Sequence, residues 1–478
     1  MTEDDLVYMG ATTQAALIRE RKLSPVELVK ASLDRIARYD SVYRAYINVC
    51  AEQALAEAKK AESDIAAGRI RGPLHGLPFG VKDQICTAGV PTTMGSRVRT
   101  PHARDIDAAV VERMKQAGAI LIGKENLHEY GKGGTNEFPY GQPRNPWNPE
   151  CSPGGSSSGS GIAPAAGMSS ISLGEDTGGS IRGPAASCGV VGIRPTYGRV
   201  SRYGGVMFAW HSDTIGPVTR TVADNALVMS VIAGNDPRDA LTSLRPVPDY
   251  AASLTGDLKG LKLGVVKEIA YAKGVDSDVA AAFAEAVRVL QARGAEVAEV
   301  SLPWAHHAIP LQMLTSDADA VSMYLPLLRS HWKDFDVGTR TRMAAAALVP
   351  AAVYSRAMRA RAVIRKQVLD ALAGHDALIT PTMLKPPGTV DDTREKIESK
   401  DDIATRLILR RIATHTFGAA NVPTLALPMG FSAAGLPLSL QVAGRHFDEA
   451  TVYRVGDAYQ RETSWHTRRP RLVTGLLG

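Results

Sequence analysis

Two stretches rich in glycine and serine carry the strongest structural signal in this chain. The first reads Ser152-Pro-Gly-Gly-Ser-Ser-Ser-Gly-Ser-Gly161, and the second reads Asp176-Thr-Gly-Gly-Ser-Ile-Arg182. By composition alone the first stretch could be a flexible linker. However, a run of small apolar residues, 162–168, follows it directly. Glycines that end in serine also let backbone N–H groups converge without side chains in the way, as an anion or a developing oxyanion requires.

Two other glycine-containing motifs are relevant to this sequence. A phosphate-binding loop fails on one residue, whereas a hydrolase elbow remains possible. Residues 118–124 follow phosphate-loop spacing only until Glu125, where that loop requires Ser or Thr, and no Gly-x-Gly-x-x-Gly pattern is present. Residues 155–159 match the Gly-x-Ser-x-Gly elbow of α/β-hydrolases, which would make Ser157 a nucleophile. Three later histidines could then complete a triad: His375, His415 and His446. Spacing alone leaves that hydrolase alternative open.

Three longer motifs give a more specific match. They are Gly72-Pro-Leu-His-Gly-Leu-Pro-Phe-Gly-Val-Lys-Asp83, Pro153-Gly-Gly-Ser-Ser-Ser-Gly159, and Leu173-Gly-Glu-Asp-Thr-Gly-Gly-Ser-Ile-Arg-Gly-Pro184 continued by Cys188-Gly-Val-Val-Gly-Ile-Arg-Pro-Thr-Tyr-Gly-Arg199. In this order they resemble the amidase signature family of serine hydrolases. The resemblance extends from the N-terminal helices to Trp465-His466 and is weakest over residues 243–393.

The resemblance implies a fold class and a domain organisation. The expected fold is α/β, with a central mixed, largely parallel β-sheet covered by helices on both faces. One domain is expected over residues 1–478. Within it, residues 60–235 hold the catalytic motifs, and residues 243–400 form a variable, helix-rich segment that shapes the substrate pocket.

The resemblance also implies roles for individual residues. Ser180 is the acylated nucleophile, Ser156 is a bridging hydroxyl at a cis peptide bond, and Lys82 is the base. The two serines are 24 positions apart, which is the usual separation in that family. The implied oxyanion hole consists of the backbone N–H groups of Thr177, Gly178, Gly179 and Ser180. Ser158 departs from the family pattern, in which glycine is commoner at that position.

The same chemistry can be argued from the residues. A serine hydroxyl needs a base within hydrogen-bond reach, and a lysine serves only when it is neutral, which burial favours. Lys82 follows the apolar residues 79–81, so its stem is expected to point inward, with the Asp83 carboxylate pointing elsewhere. A proton passed from Ser180 through Ser156 to Lys82 can return to the leaving nitrogen, which is a poor leaving group without it.

Supporting and substrate-binding residues are expected around this triad. Ser157 is predicted to support the site, and Asp176 and Arg182 are predicted to form an ion pair at the nucleophile turn. The predicted pocket residues are Tyr130, Gly131, Gly133, Phe208 and Trp210, and the segment Trp304 to Tyr324 is a further candidate wall. Because the motif loops contain no arginine cluster that could clamp a carboxylate, the sequence favours an aryl or apolar acyl amide over a charged one.

Composition excludes several other classes of protein. The chain has 478 residues, of which 45% are hydrophobic and 22% charged, as in ordinary globular proteins. A net charge of +6 from mostly scattered basic residues, with only 6% aromatics, argues against a nucleic-acid partner. The four cysteines lie far apart, which predicts neither a disulfide nor a metal site, and no cofactor is expected.

No secretory leader and no uncharged apolar run of roughly 18 residues is visible. The prediction is a cytoplasmic enzyme with a small-molecule amide substrate and no nucleic-acid or membrane partner. A homodimer is the candidate assembly, and the sequence leaves the oligomeric state open.

Local patterns predict alternating strands and helices. Ser24-Pro25 is expected to start a helix, and others are expected near residues 12–21, 51–67, 108–116, 222–233 and 279–293. Short apolar runs predict strands at 78–81, 119–122, 169–173, 190–193, 261–266 and 377–379. Two stretches are candidate linkers, residues 235–249 and 382–392.

Three functions remain in play. The first is a stand-alone amidase that forms an acyl-enzyme, or a carbamate, ester or hydrazide hydrolase of the same family. The second is the glutaminase subunit of a tRNA-dependent transamidation complex, which would release ammonia from glutamine only with its partners. The third is a non-catalytic binding module, which the presence of all three triad residues disfavours.

Overall fold

The computed structural model describes residues 2–390 and 399–475, so the last two positions of the second candidate linker lie outside it. The strands are β1 (Tyr46–Val49), β2 (Pro78–Lys82), β3 (Ile120–Glu125), β4 (Ile171–Asp176), β5 (Val191–Arg194), β6 (Thr214–Thr219), β7 (Lys262–Val266), β8 (Glu296–Val300), β9 (Ala377–Pro381), β10 (Thr424–Phe431) and β11 (Pro437–Gly444). The helices are α1 (Glu3–Tyr8), α2 (Ala11–Arg19), α3 (Pro25–Tyr43), α4 (Ala51–Ala66), α5 (Ala109–Gln116), α6 (Ser158–Ala165), α7 (Arg182–Cys188), α8 (Val222–Ile232), α9 (Lys267–Ala270), α10 (Ser277–Ala292), α11 (Ala308–Ser330), α12 (Val337–Ala347), α13 (Ala351–Gly374), α14 (Lys400–Ala420) and α15 (Glu449–Glu462).

All of these strands belong to one sheet with the order β1-β3-β2-β4-β6-β5-β10-β11-β9-β7-β8. Parallel pairing is confined to β3-β2-β4 and to β9-β7-β8, and the other neighbours pair antiparallel. The predicted mixed sheet is confirmed, with a longer antiparallel centre than the sequence indicated. Within this centre, β10 and β11 pair antiparallel because strands joined by so short a turn as residues 432–436 can only pair in that way.

Local sequence signals explain where the predicted elements begin. The Ser24 hydroxyl accepts hydrogen bonds from the backbone N–H groups of Val26 and Glu27, and Pro25 occupies the first turn of α3. The Thr221 hydroxyl caps α8 in the same way. The predicted strands correspond to β2, β3, β4, β5, β7 and β9 within a few residues. The short runs do not predict β1, β6, β8, β10 or β11. Helices α11 to α13 lie in the segment that was expected to be helix-rich, although their individual bounds were not predicted.

Buried residues on the two faces of the sheet pack against different helices. Leu121 of β3 joins a core with α2, α5, α8, α10 and α15. Its neighbours Ile120 and Ile122 point to the other face and pack against α3, α4, α6 and α7. Towards the other edge, Leu378 of β9 packs against α13 and α14 on that second face. Alternate side chains of one strand thus enter two cores, and the predicted helical cover on both faces is confirmed.

The fold brings the two glycine- and serine-rich stretches together at one end of neighbouring strands. Strands β2 and β4 are adjacent and parallel, so Lys82 and Asp176 lie at the same edge of the sheet. The Ser157 hydroxyl donates a hydrogen bond to the carbonyl oxygen of Glu175 at 3.1 Å. The backbone N–H of Ser157 donates to the carbonyl oxygen of Ser180 at 3.2 Å. Ser157 therefore ties the first stretch to the second.

Candidate active site

Lys82 ends β2 and has no exposed surface. Its ammonium nitrogen lies 2.9 Å from the Ser156 hydroxyl oxygen and 3.0 Å from Oε2 of Glu175. The peptide bond between Gly155 and Ser156 is cis. Two of the three expected triad residues are therefore in hydrogen-bond contact, inside the protein and away from solvent.

Glu175 is a part of the site that the sequence analysis missed. Its carboxyl group is fully buried, accepts a hydrogen bond from the Thr177 hydroxyl at 3.0 Å, and forms an ion pair with Lys82. Burial raises the pKa of Glu175 to about 7, although the charge of Lys82 acts to lower it. The sequence signal for it was two consecutive acidic residues at the end of a buried strand, since a buried carboxylate needs a partner.

Asp83, the other carboxyl group near Lys82 in the sequence, faces a different lysine. Its Oδ1 lies 3.4 Å from Nζ of Lys124, and its Oδ2 accepts a hydrogen bond from the backbone N–H of Thr93 at 2.8 Å. This confirms the expectation that the Asp83 carboxylate points away from the Lys82 amine.

Asp176 organises the turn that carries Ser180. Its carboxylate accepts hydrogen bonds from the backbone N–H of Gly179 at 2.7 Å and of Ile181 at 3.1 Å. Arg182 binds both of its oxygens at 3.0 Å, so the predicted ion pair is present, and Arg194 adds a second cation. Burial would raise the pKa of Asp176, but the two arginines hold it below its ordinary value. The turn is thus fixed by a permanent negative charge.

The backbone donors of this turn differ from the expected set of four. Among the residues that the structure describes, the N–H groups of Thr177, Gly178 and Ser180 make no hydrogen bond. The N–H of Gly179 is already taken by Asp176, because the sharp turn directs it back toward the end of β4. The Gly179 N–H is therefore not free to bind an oxyanion, whereas the N–H groups of Thr177, Gly178 and Ser180 are.

Ser156 and Ser180 border the same cavity, which has a volume of about 360 Å³. This size falls within the usual range for small-molecule sites. Of the predicted pocket residues, Gly131, Gly133 and Phe208 also border it. The candidate wall on α11 contributes Gln312, Met313 and Ser316.

Two predicted pocket residues lie elsewhere. Tyr130 is fully buried beside the cavity, where its ring packs against Tyr324 and Phe335 and its hydroxyl donates to the carbonyl oxygen of Val98 at 2.8 Å. Trp210 is 66% exposed, and its ring stacks under the Arg202 guanidinium outside the cavity. Neither side chain borders the cavity, because Tyr130 packs into the core and Trp210 lies on the surface.

The cavity wall carries more positive charge than the sequence suggested. The cationic side chains that border it are Lys132, Arg342, Arg410 and Arg411, and no acidic side chain of the described residues does so. The arginines come from α12 and α14, far from the motif loops in sequence. The argument for an apolar substrate, which rested on the motif loops alone, therefore does not hold.

Comparison with known proteins places this geometry in a family. The profile of the amidase family matches residues 27–453. The chain belongs to the amidase signature family.

This amidase is 41% identical to a glutamyl-tRNA(Gln) amidotransferase subunit from Chloroflexus aggregans, over 99% of this chain and 100% of that protein. It is 43% identical to the subunit of the same name from a Roseiflexus species, over 94% and 96% of the two chains. The solved peptide amidase of Stenotrophomonas maltophilia superposes with a TM-score of 0.82 at 30% identity, covering 97% and 98% of the two chains. The present chain is thus an amidase-type enzyme that acts on amide C–N bonds.

The comparisons also correct one prediction about partners. Relatives that match nearly the whole length of this amidase carry the name of a glutamyl-tRNA(Gln) amidotransferase subunit. This name includes both a tRNA and other protein chains, which conflicts with the prediction that no nucleic acid is a partner. The prediction of no nucleic-acid partner is therefore wrong. It rested on the scattered basic residues and the low aromatic content, and neither reports on a nucleic acid that is bound through another chain. In the described part of the amidase, no helix combines the length and apolarity needed to cross a membrane. The cytoplasmic location stays a prediction.

Proposed function

We propose that this protein hydrolyses a primary carboxamide through Ser180, Ser156 and Lys82, with an acyl-enzyme intermediate. The observation that carries the proposal is the buried contact of 2.9 Å between Lys82 and Ser156 on the wall of a cavity that Ser180 also borders. A buried lysine beside a hydroxyl group can accept its proton when the amine is neutral.

The proposed reaction begins as the Ser180 oxygen attacks the amide carbonyl carbon. The Ser180 proton passes to the Ser156 oxygen while the Ser156 proton passes to the neutral Lys82 amine. The negative charge on the carbonyl oxygen is met by the free backbone N–H groups of the 177–180 turn. The C–N bond then breaks, the proton returns through Ser156 to the nitrogen, and ammonia leaves. Water hydrolyses the ester on Ser180 by the same relay.

Glu175 decides when Lys82 can act as the base in this proposal. An ionised Glu175 at 3.0 Å stabilises the ammonium form of Lys82, whereas a protonated Glu175 does not. Because burial raises the pKa of Glu175 to about 7, its neutral form is populated at physiological pH. Protonation of Glu175 thus removes the negative charge that holds a proton on Lys82.

The test is ammonia release from neutral amides with Ser180→Ala and Lys82→Ala. Ser180→Ala is expected to abolish turnover and to prevent labelling by a fluorophosphonate probe. Lys82→Ala is expected to reduce amide cleavage by about 10² to 10⁴-fold and to reduce cleavage of the matched ester less, because an alkoxide leaves without full protonation. Full turnover by Ser180→Ala, or equal losses on amide and ester, would refute the assignment.

A second candidate function is the ammonia-producing component of a glutamyl-tRNA(Gln) amidotransferase. It is supported by relatives of that name that match 94% and 99% of this chain. In that case glutamine would be the amide, and its hydrolysis would depend on the other subunits. Measuring ammonia release from glutamine with and without them separates the two candidates, since a stand-alone amidase gains nothing from the addition.

A further inference from the structure

Arg411 presents an unpaired cation to the cavity. It lies on α14, is partly buried, and borders the same cavity as Ser156 and Ser180. Its guanidinium lies opposite the Gly133 loop, where a Cβ atom on Gly133 would be 3.6 Å from Nη2. Within residues 2–390 and 399–475, no hydrogen bond or ion pair to this guanidinium is present. Burial lowers the pKa of Arg411 to about 10, which leaves it charged at neutral pH.

Arg411 is also close to the turn that carries Ser180. One helical turn further along α14, His415 lies against this turn, with Nε2 3.1 Å from where a Cβ of Gly178 would be. The His415 ring donates through Nδ1 to the carbonyl oxygen of Arg411 at 3.1 Å. Arg411 and His415 are one turn apart on α14, about 5.4 Å along the helix axis, so Arg411 borders the cavity next to this contact with the Ser180 turn.

Neighbouring charges do not neutralise Arg411. Among the described residues, the carboxylate that acts on the Arg411 charge is Asp317, and it is shared by Lys132 at 3.2 Å and Arg342 at 2.6 Å. The histidines that face the cavity offer no negative charge that could pair with Arg411. Burial together with Arg411 and Lys82 lowers the pKa of His128 to about 4, so this ring is neutral. The described wall therefore has an excess of positive charge, and neither Arg411 nor its neighbour Arg410 has an acidic partner among the described residues.

From this arrangement we infer that Arg411 selects a substrate whose acyl chain ends in a carboxylate. The inference rests on the proposed amide hydrolysis and specifies its substrate class as a monoamide of a dicarboxylic acid. A planar guanidinium without a partner offers the paired N–H donors that a carboxylate binds. An additional ammonium group, as in glutamine, would meet an uncompensated cationic wall, so the zwitterion is expected to be a poorer substrate than the anion.

The experiment compares three amides of equal chain length by kcat/KM for ammonia release: glutaramate, neutral pentanamide and L-glutamine. Glutaramate is expected to be preferred over pentanamide by about 10- to 100-fold, the range for one charge-assisted contact. Arg411→Gln is expected to remove this preference while keeping pentanamide hydrolysis, and Arg411→Lys to keep part of it. Arg359→Gln, an exposed arginine on α13 outside the cavity, is the matched control and should behave as the parent enzyme.

A binding measurement separates the two proposals. Calorimetry with glutarate and the Ser180→Ala protein should show binding that is lost when Arg411→Gln is added. If no amide is cleaved but glutarate binding depends on Arg411, the proposed hydrolysis fails and the anion site stands. If pentanamide or glutamine is cleaved as fast as glutaramate, or if glutarate binds equally well without Arg411, the specificity inference is overturned and the hydrolysis stands.

Discussion

At the scale of single residues, the unusual feature is a fully buried lysine that faces both a hydroxyl group and a carboxyl group. Lys82 contacts Ser156 and Glu175 at nearly equal distances. A buried carboxylate and a buried ammonium stabilise each other, and neither is stable there alone. The number of protons that Lys82 and Glu175 hold together sets the pH range in which the proposed proton relay can work.

Replacing Glu175 should therefore move the pH dependence of the reaction. Glu175→Gln removes the negative charge that favours the ammonium form of Lys82, so the neutral amine becomes available at lower pH. We expect the acidic limb of the kcat/KM profile for a neutral amide to shift down by roughly 1 to 3 pH units. Asp83→Asn, which removes a buried carboxylate that pairs with Lys124 instead, should leave the limb in place. An unmoved limb in Glu175→Gln would show that this carboxyl group does not govern the base.

At the scale of secondary-structure elements, the central strands pack tightly around a second buried acid. Glu125 of β3 is fully buried, lies over Gly80 of β2, and accepts a hydrogen bond from the Ser172 hydroxyl of β4. A Cβ on Gly80 would be 2.1 Å from Oε1 of Glu125, so only glycine fits there. Burial raises the pKa of Glu125 from its ordinary value of 4.5 to about 8, which makes it a neutral hydrogen-bonding group within the sheet.

This acid should make the folded protein less stable as the pH rises. Because the folded pKa lies above the unfolded one, the native state binds more protons between about pH 4.5 and pH 8, and stability falls through that range. The loss amounts to at most about 1.4 kcal/mol per pH unit for one group. Glu125→Gln should therefore show a smaller drop in Tm between pH 5 and pH 8 than the parent protein. An equally steep drop in both proteins would contradict a neutral Glu125.

At the scale of the whole molecule, the cavity lies where distant parts of the chain meet. Its walls come from the loop after β3, the turns before α6 and α7, and helices α11, α12 and α14. The three arginines of the charged wall come from the second half of the chain, whereas Lys132 and the turn that carries Ser180 come from the first half. Folding therefore brings together charged groups that are far apart in the sequence.

A concave wall with one sign of charge should attract an anionic substrate over a distance. Raising the ionic strength from about 0.02 M to 0.5 M shortens the screening length below the width of the cavity. We expect kcat/KM for glutaramate to fall several-fold over this range, while that for pentanamide stays constant. A salt response of the same size for both amides would indicate a general effect on the protein and not attraction by the wall.

The sequence by itself determined the family, the mixed sheet with helices on both faces, most strands of the first half, and the placement of Lys82 and Ser156. These follow from local signals, since the motifs set the turns and the short apolar runs set the strands. It did not determine the antiparallel centre, the roles of Tyr130 and Trp210, the engagement of Gly179, or the partner class.

Only the tertiary structure brought Glu175 to Lys82 and Arg411 to the cavity. The first contact depends on the register of β2 against β4, and the second on the packing of α14 beside α11 and along the cavity. Neither arrangement has a local pattern, because each joins residues separated by roughly a hundred positions or more. Long-range packing therefore sets the charge around Ser180 and, in the reaction that we propose, the class of amide that binds.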